Sequence, residues 1–143
     1  MLMKLKNIMT KDVAVVSPET SIEEAAKIMQ DLNIGSVPVV ENSKVKGIVT
    51  DRDIVIRCIA EKKNPTIQVS KIMTTGLVYG LPHMNVLEAA DLMAQHQVRR
   101  LPVVDKGKLV GIISIGDLAL EAQFFDETGE ALTEISDPTP PIH

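Results

Sequence analysis

The sequence matches itself when displaced by about 64 residues, without a gap from Ile8 to Leu118. The tripeptide IMT at 8–10 meets IMT at 72–74, and Pro18 meets Pro82. EAA at 24–26 meets EAA at 88–90, Met29 meets Met93, and PVV at 38–40 meets PVV at 102–104. Lys44, Gly47, Ile48 and Asp53 meet Lys108, Gly111, Ile112 and Asp117. A duplication explains this most simply, so the chain must build one unit twice. Two copies are too few for a solenoid, and the halves are expected to pack against each other about a pseudo-twofold axis.

Each half reads as strand, helix, strand, strand, helix. A short apolar run, VAVV at 13–16 and LVYG at 77–80, predicts a strand that stops before a proline. Ser21 with Glu24, and Asn85 with Glu88, are helix-start signals. Behind them Ile22, Ala25, Met29 and Leu32, repeated as Val86, Ala89 and Met93, form an apolar stripe. Two β-branched runs follow, SVPVVE at 36–41 and KVKGIVT at 44–50. The turn between them, NS here and KG in the second half, predicts a hairpin. A second helix is expected from Asp51 to about Glu61, and from Ile115 to about Phe125. The fold class is therefore α/β in the α+β sense, as two β-α-β-β-α motifs. The first motif spans 6–62, a linker containing Pro65 spans 63–70, and the second motif spans 71–125. An acidic tail, 126–143, follows, with a possible short helix over 130–135 and a disordered DPTPPIH end.

Composition removes several function classes. Aromatic residues make up 2% of the chain, too few for a base-stacking platform. The net charge of −4 argues against nucleic-acid binding through a basic surface. Cys58, the single cysteine, has no partner for an intrachain disulfide and reads as a small apolar helix residue in a reduced, cytoplasmic setting. The segment MLMKLKNIMTKD lacks the apolar region and cleavage site of a secretory signal. No stretch approaches the roughly 20 apolar residues of a membrane span.

The chemistry concentrates in GIVTDRDI at 47–54 and GIISIGDL at 111–118. Thr50 and Ser114 end a strand and precede a helix. A hydroxyl there caps the helix, and an acid three residues on completes a capping box. That role needs no ligand. The same geometry also suits one, because a helix start offers free N–H groups to a phosphate. The carboxylate of Asp53 or Asp117 can accept two hydrogen bonds from the vicinal diol of a ribose, each worth about 1.5–3 kcal/mol before costs. Gly47 and Gly111 lie inside strands, where glycine marks close backbone approach. Arg99 and Arg100 stand at the start of a strand, where the first half has Gly35 and Ser36. Such a pair supplies phosphate contacts.

The tandem IMT, P, EAA, PVV and Ghh[TS]xxD pattern resembles the cystathionine-beta-synthase (CBS) domain pair, or Bateman module, over about residues 6–122. The resemblance implies two clefts between motifs that take AMP, ADP, ATP, S-adenosylmethionine or NAD-type molecules. It places the ribose-binding acid on Asp53 and Asp117, with Thr50 and Ser114 beside them. It places adenine against Lys11, Asp12, Val13 and Ala14 with Val37 and Pro38. In the second half the corresponding residues are Thr75, Gly76, Leu77 and Val78 with Leu101 and Pro102. Arg99 and Arg100 resemble the phosphate ligands of the nucleotide-sensing gamma subunits of AMP-activated protein kinase, and Arg52 is a further candidate phosphate contact. The first half departs from this basic pattern, so the resemblance implies an asymmetric pair of sites.

The resemblance also implies a homodimer with a regulatory, energy-sensing role and an unnamed protein partner. Aliphatic residues on the second helices, Ile54, Val55, Ile59, Leu118 and Leu120, are candidates for an interface. No catalytic cofactor or metal site is expected. The histidines, His83, His96 and His143, are scattered, and neither GxGxxG nor a P-loop is present. The barrel of inosine-monophosphate dehydrogenase, to which CBS pairs are attached elsewhere, is absent. The chain is therefore expected to be a non-enzyme. The alternative is a ligand-independent dimerisation scaffold in which the hydroxyl–Asp pairs act only as caps.

Overall fold

The computed structural model describes residues 3–122. The expected helix end at Phe125, the helix over 130–135 and the DPTPPIH end lie outside the described residues. The elements run α1 (Leu5–Ile8), α2 (Ile22–Leu32), β1 (Ser36–Glu41), β2 (Lys44–Thr50) and α3 (Asp51–Asp53), which continues as a π-helix over Ile54–Ile59. A 3-10 turn (Val69–Lys71) leads to α4 (Val86–His96), β3 (Arg100–Asp105), β4 (Lys108–Ser114) and α5 (Ile115–Ala122). They form two compact units. One is Val13–Leu77, and the other joins the N-terminal segment through Asp12 to the chain from Val78 onward. These divisions are not the ends of the sequence repeat.

Local chemistry sets each element. The Ser21 hydroxyl accepts the Glu24 N–H at 3.1 Å, and Asn85 with Glu88 closes a full capping box. Ile22, Ala25 and Met29 then face the core, as do Val86, Ala89 and Met93. Leu32, expected in that stripe, is 55% exposed: α2 ends with it, and no further turn carries it over the sheet. The chain leaves both helices through left-handed residues, Asn33 (φ 55°) and Gln97 (φ 54°). The amides of Ile34 and Val98 return to the carbonyls of Met29 and Met93, so the helix ends are hydrogen-bonded.

Both hairpins turn on two left-handed residues, Asn42 and Ser43 in one, Lys106 and Gly107 in the other. This backbone matches the natural twist of paired strands. Each register slips once, between Val39 and Val40 and between Val103 and Val104. Cys58 is buried in the core of the Val13–Leu77 unit. Among the aliphatics named as interface candidates, Leu118 is fully buried in the other unit's core because α5 turns that side inward. Ile54 is partly buried, while Val55, Ile59 and Leu120 are exposed.

The strands predicted over 13–16 and 77–80 shrink to a single bridge each. Val16 pairs parallel to Val39, donating to the Pro38 carbonyl (3.0 Å) and accepting from Val40 (2.8 Å). The next rung on either side would need an N–H from Pro38 or from Pro18, and proline has none. Gly80 pairs with Val103 under the same limit from Pro102 and Pro82. Pro38 and Pro102 cost the hairpins nothing, because their nitrogens face the bridging segment rather than β2 or β4.

The far edge of each hairpin is covered by the other repeat. Thr10 pairs antiparallel with Ile112 on β4, and Thr74 with Ile48 on β2, both through two backbone hydrogen bonds. Just upstream, Leu5 is fully buried among Val86, Met93 and Leu101, and its amide donates to Met84 O at 2.8 Å. Val69, at the matching position, is fully buried against the first repeat, its amide donating to Thr20 O at 2.8 Å. Part of the stretch expected as a linker is thus core. Gly47 and Gly111 make this docking possible. A Cβ on Gly47 would lie 2.8 Å from Thr74 O, and one on Gly111 2.9 Å from Thr10 O.

Gly47→Ala and Gly111→Ala are therefore expected to destabilise the protein by about 1–3 kcal/mol, since the backbone at Thr74 or Thr10 must move as well as the side chain of Met73 or Met9. Urea unfolding measures this, and an unchanged midpoint for both variants would contradict the close approach. Thr50→Ala and Ser114→Ala, which remove only a cap, should each cost about 1 kcal/mol in the same assay.

Candidate functional site

In the Val13–Leu77 unit, Thr50 ends β2 opposite Ser36 on β1. The Asp51 amide donates to Gly35 O at 2.9 Å, tying the start of β1 to the start of α3. Thr50 and Asp53 form a reciprocal capping box. The Asp53 N–H donates to Thr50 Oγ1 and the Thr50 N–H to Asp53 Oδ2, both at 3.0 Å. Asp53 is only 7% exposed. Its carboxylate also accepts the Thr74 hydroxyl, at 3.2 and 3.3 Å from its two oxygens, and faces Arg57 Nε at 3.8 Å. Arg57 donates in addition to the carbonyls of Ile72 and Met73, both at 3.3 Å.

The other unit repeats the frame with different side chains. Arg100 on β3 lies opposite Ser114 on β4, and the Ile115 amide donates to Arg99 O at 2.9 Å. The Ser114 N–H donates to Asp117 Oδ2 at 2.9 Å, and the Asp117 N–H to Ser114 Oγ at 3.1 Å. Asp117 is half-buried. Among the described residues its carboxylate accepts only that Ser114 N–H. The exposed Arg99 and Arg100 make no ion pair among the described residues. One strand–helix junction therefore carries a hydroxyl, a carboxylate, the first turn of α5 and two guanidinium-bearing residues.

The remaining candidates sort by the exchange of segments. Val37 and Pro38 are buried on β1, with half-buried Val13 and Ala14 just before the bridge at Val16. The same unit holds exposed Thr75 and Gly76 and half-buried Leu77, which follow the bridge at Thr74. Leu101 and Pro102 are buried on β3, with half-buried Val78 ahead of Gly80. Lys11 and Asp12, exposed, follow Thr10 into this second unit and not into the unit of Pro38 with which the sequence groups them. Arg52 is exposed on α3, and its N–H donates to Asp51 Oδ1.

Sequence reasoning missed Thr74 and Arg57. Thr74 was visible as part of the repeated IMT. Arg57 was visible as a departure from the repeat, since the matching position is Glu121. No cluster of three or more His, Cys, Asp or Glu among the described residues is placed to hold a metal ion. No helix among them is long and apolar enough to cross a membrane.

Comparison with known proteins places the fold in a family. The chain is 48% identical over 132 residues to the CBS domain-containing protein YhcV of Bacillus subtilis (strain 168), covering 92% of this chain and 94% of that one. The CBS domain pair of protein MJ0100, solved with 5-methylthioadenosine and S-adenosyl-L-methionine, superposes with a TM-score of 0.78 at 28% identity, covering 87% of this chain and 98% of that one. CBSX2, solved in complex with AMP, superposes with a TM-score of 0.73 at 27% identity, covering 86% and 98%. The sequence model of the CBS domain matches twice, over residues 5–59 and 69–122. With both halves matched and the expected α+β fold in place, the chain belongs to the CBS domain family as a tandem pair.

Proposed function

We propose that this protein is a regulatory binding module for adenosine-containing ligands: AMP, ADP or ATP, with S-adenosylmethionine and NAD-type molecules in the same class. The observation that carries this reading is the junction of Arg99, Arg100, Ser114 and Asp117. Ser114, Asp117 and the start of α5 supply a hydroxyl, a carboxylate for a ribose diol and free helix N–H groups within one turn of chain, and Arg99 and Arg100 stand across from them at the start of β3 as two cations for phosphate. The AMP complex of CBSX2 and the 5-methylthioadenosine and S-adenosyl-L-methionine complex of MJ0100 support the ligand class. Binding, not turnover, is the expected activity. Ligand contacts that differ between two conformations would shift the protein between them and so reach a partner. The setting is cytoplasmic, and the protein is a homodimer whose contacts include the exposed aliphatics Val55 and Ile59.

The scaffold reading draws on a different observation. Both hydroxyl–Asp pairs close reciprocal capping boxes between protein groups, which is a complete helix-start role in itself. Calorimetry of nucleotide-stripped protein against AMP, ADP, ATP, S-adenosylmethionine and NAD separates the two. Micromolar binding of at least one is expected, and silence from all five in a stable dimer would leave the scaffold. Arg99→Ala with Arg100→Ala should weaken AMP or ATP at least about tenfold, as loss of a charged hydrogen bond implies, while adenosine is unaffected. Equal loss for adenosine would remove the arginines from phosphate binding. Light scattering should report a dimer that Val55→Lys with Ile59→Lys converts to monomer, and an unchanged mass would move the interface elsewhere.

A further inference from the structure

We infer that Met9 and Met73 are sites of reversible oxidation, and that a peroxide which converts either thioether to its sulfoxide releases that IMT segment from the hairpin it covers. This inference does not depend on the reading given under Proposed function.

The sulfur of each methionine sits where a side chain on the facing strand would begin. A Cβ built on Gly47 would lie 2.7 Å from Met73 Sδ and 3.0 Å from its Cγ. One built on Gly111 would lie 2.5 Å from Met9 Sδ and 2.8 Å from its Cγ. Both members of the contact repeat together, Met9 with Met73 and Gly47 with Gly111. The residue after each methionine is the threonine that holds the segment to the sheet edge. Thr74 exchanges two backbone hydrogen bonds with Ile48, and Thr10 exchanges two with Ile112. The thioether therefore presses on the strand one residue away from the pair that fixes the docking. An unbranched, polarisable side chain suits so close an approach to backbone.

Exposure separates these two methionines from others in the chain. Met29 and Met93 are buried inside the cores. Met9 and Met73 are half-buried at the margin of the apolar clusters, which leaves part of each side chain open to a small oxidant. Met3 and Met84 are half-buried as well, but the sulfurs over Gly47 and Gly111 are not theirs.

The chemistry is a two-electron oxygen transfer. The sulfur lone pair attacks one oxygen of the peroxide, an S–O bond forms, the O–O bond breaks, and the second oxygen leaves as water. Sulfur is oxidised and the peroxide is reduced; a thiol-dependent sulfoxide reductase runs the change back. The new oxygen is a hydrogen-bond acceptor. The glycine beneath it has no side chain to donate, and the packing around each methionine is apolar. Burying that oxygen unpaired is costly, so the sulfoxide turns to water and lifts off the glycine. The adjacent threonine pair then loses its support. The same device stands in both compact units, so one edge of each hairpin is uncovered.

The test uses the full chain treated with hydrogen peroxide, with sulfoxides located by peptide mass mapping and amide exchange read before and after. Sulfoxide is expected at Met9 and Met73. The Ile48, Thr74, Thr10 and Ile112 amides should then exchange at least about tenfold faster, while those of Val40 and Val104, which bridge the opposite hairpin edges, keep their rates. Methionine sulfoxide reductase should restore the native rates. Met3→Leu with Met84→Leu should respond to peroxide as the native protein does. Three results would overturn the inference: Met9 and Met73 staying reduced while Met3 and Met84 oxidise, oxidation at Met9 and Met73 with unchanged exchange, or equal acceleration at every amide. A response lost in the Met3 and Met84 variant would also overturn it.

Discussion

The docking of each IMT segment on the hairpin of the other repeat is the contact on which most of the structure depends. A two-stranded hairpin by itself is marginal in water. Here β1–β2 and β3–β4 each gain a bridge on both edges, from Val16 and Thr74 in one case and from Gly80 and Thr10 in the other. The docking also brings an apolar side chain, Leu5 or Val69, fully into each core. It is possible only because Gly47 and Gly111 leave room for the carbonyls of Thr74 and Thr10. A glycine inside a strand weakens the strand locally, and in both repeats that loss is accepted where a second piece of chain must lie.

Most of the local architecture was legible in the residues. Helix starts at Ser21 and Asn85, the turns at Asn42–Ser43 and Lys106–Gly107, and the hairpin limits all follow from capping, left-handed preference and alternation. The short bridges at Val16 and Gly80 were legible in principle, because Pro18 and Pro38 show which rungs are missing. Partner choice was not legible. A repeat with an identical IMT in each half docks as well on paper in its own hairpin as in the other, and only the chain's path decides. The same ambiguity hid the Thr74 hydroxyl from Asp53.

The repeated motif shows how one backbone device diverges without changing its geometry. Thr50–Asp53 and Ser114–Asp117 close the same capping box at nearly the same distances. What separates them lies one turn further along the helix and one strand away: Arg57 against Glu121, and Gly35–Ser36 against Arg99–Arg100. Capping orients both carboxylates through the chain's own groups. Around Asp53 the chain adds Thr74 and Arg57, and Asp117 stands half-buried at the start of α5.

The exchange of segments has a consequence for the order in which the molecule is assembled. The Val13–Leu77 unit is continuous in sequence, so all its parts have been made once residue 77 leaves the ribosome. The other unit joins residues far apart in sequence: Leu5 waits for Val86 and Leu101, and Thr10 for Ile112. Domains fold as they emerge when their contacts are local, and long loops must close before distant contacts can form. The segment that carries Leu5 and Thr10 therefore stays unpartnered until α4, β3 and β4 have been made, whereas the β1–β2 hairpin is covered as soon as Val69 and Thr74 arrive. The vulnerable species is a nascent chain made past Thr74 but not yet to β3, in which either IMT segment can compete for the one hairpin that exists.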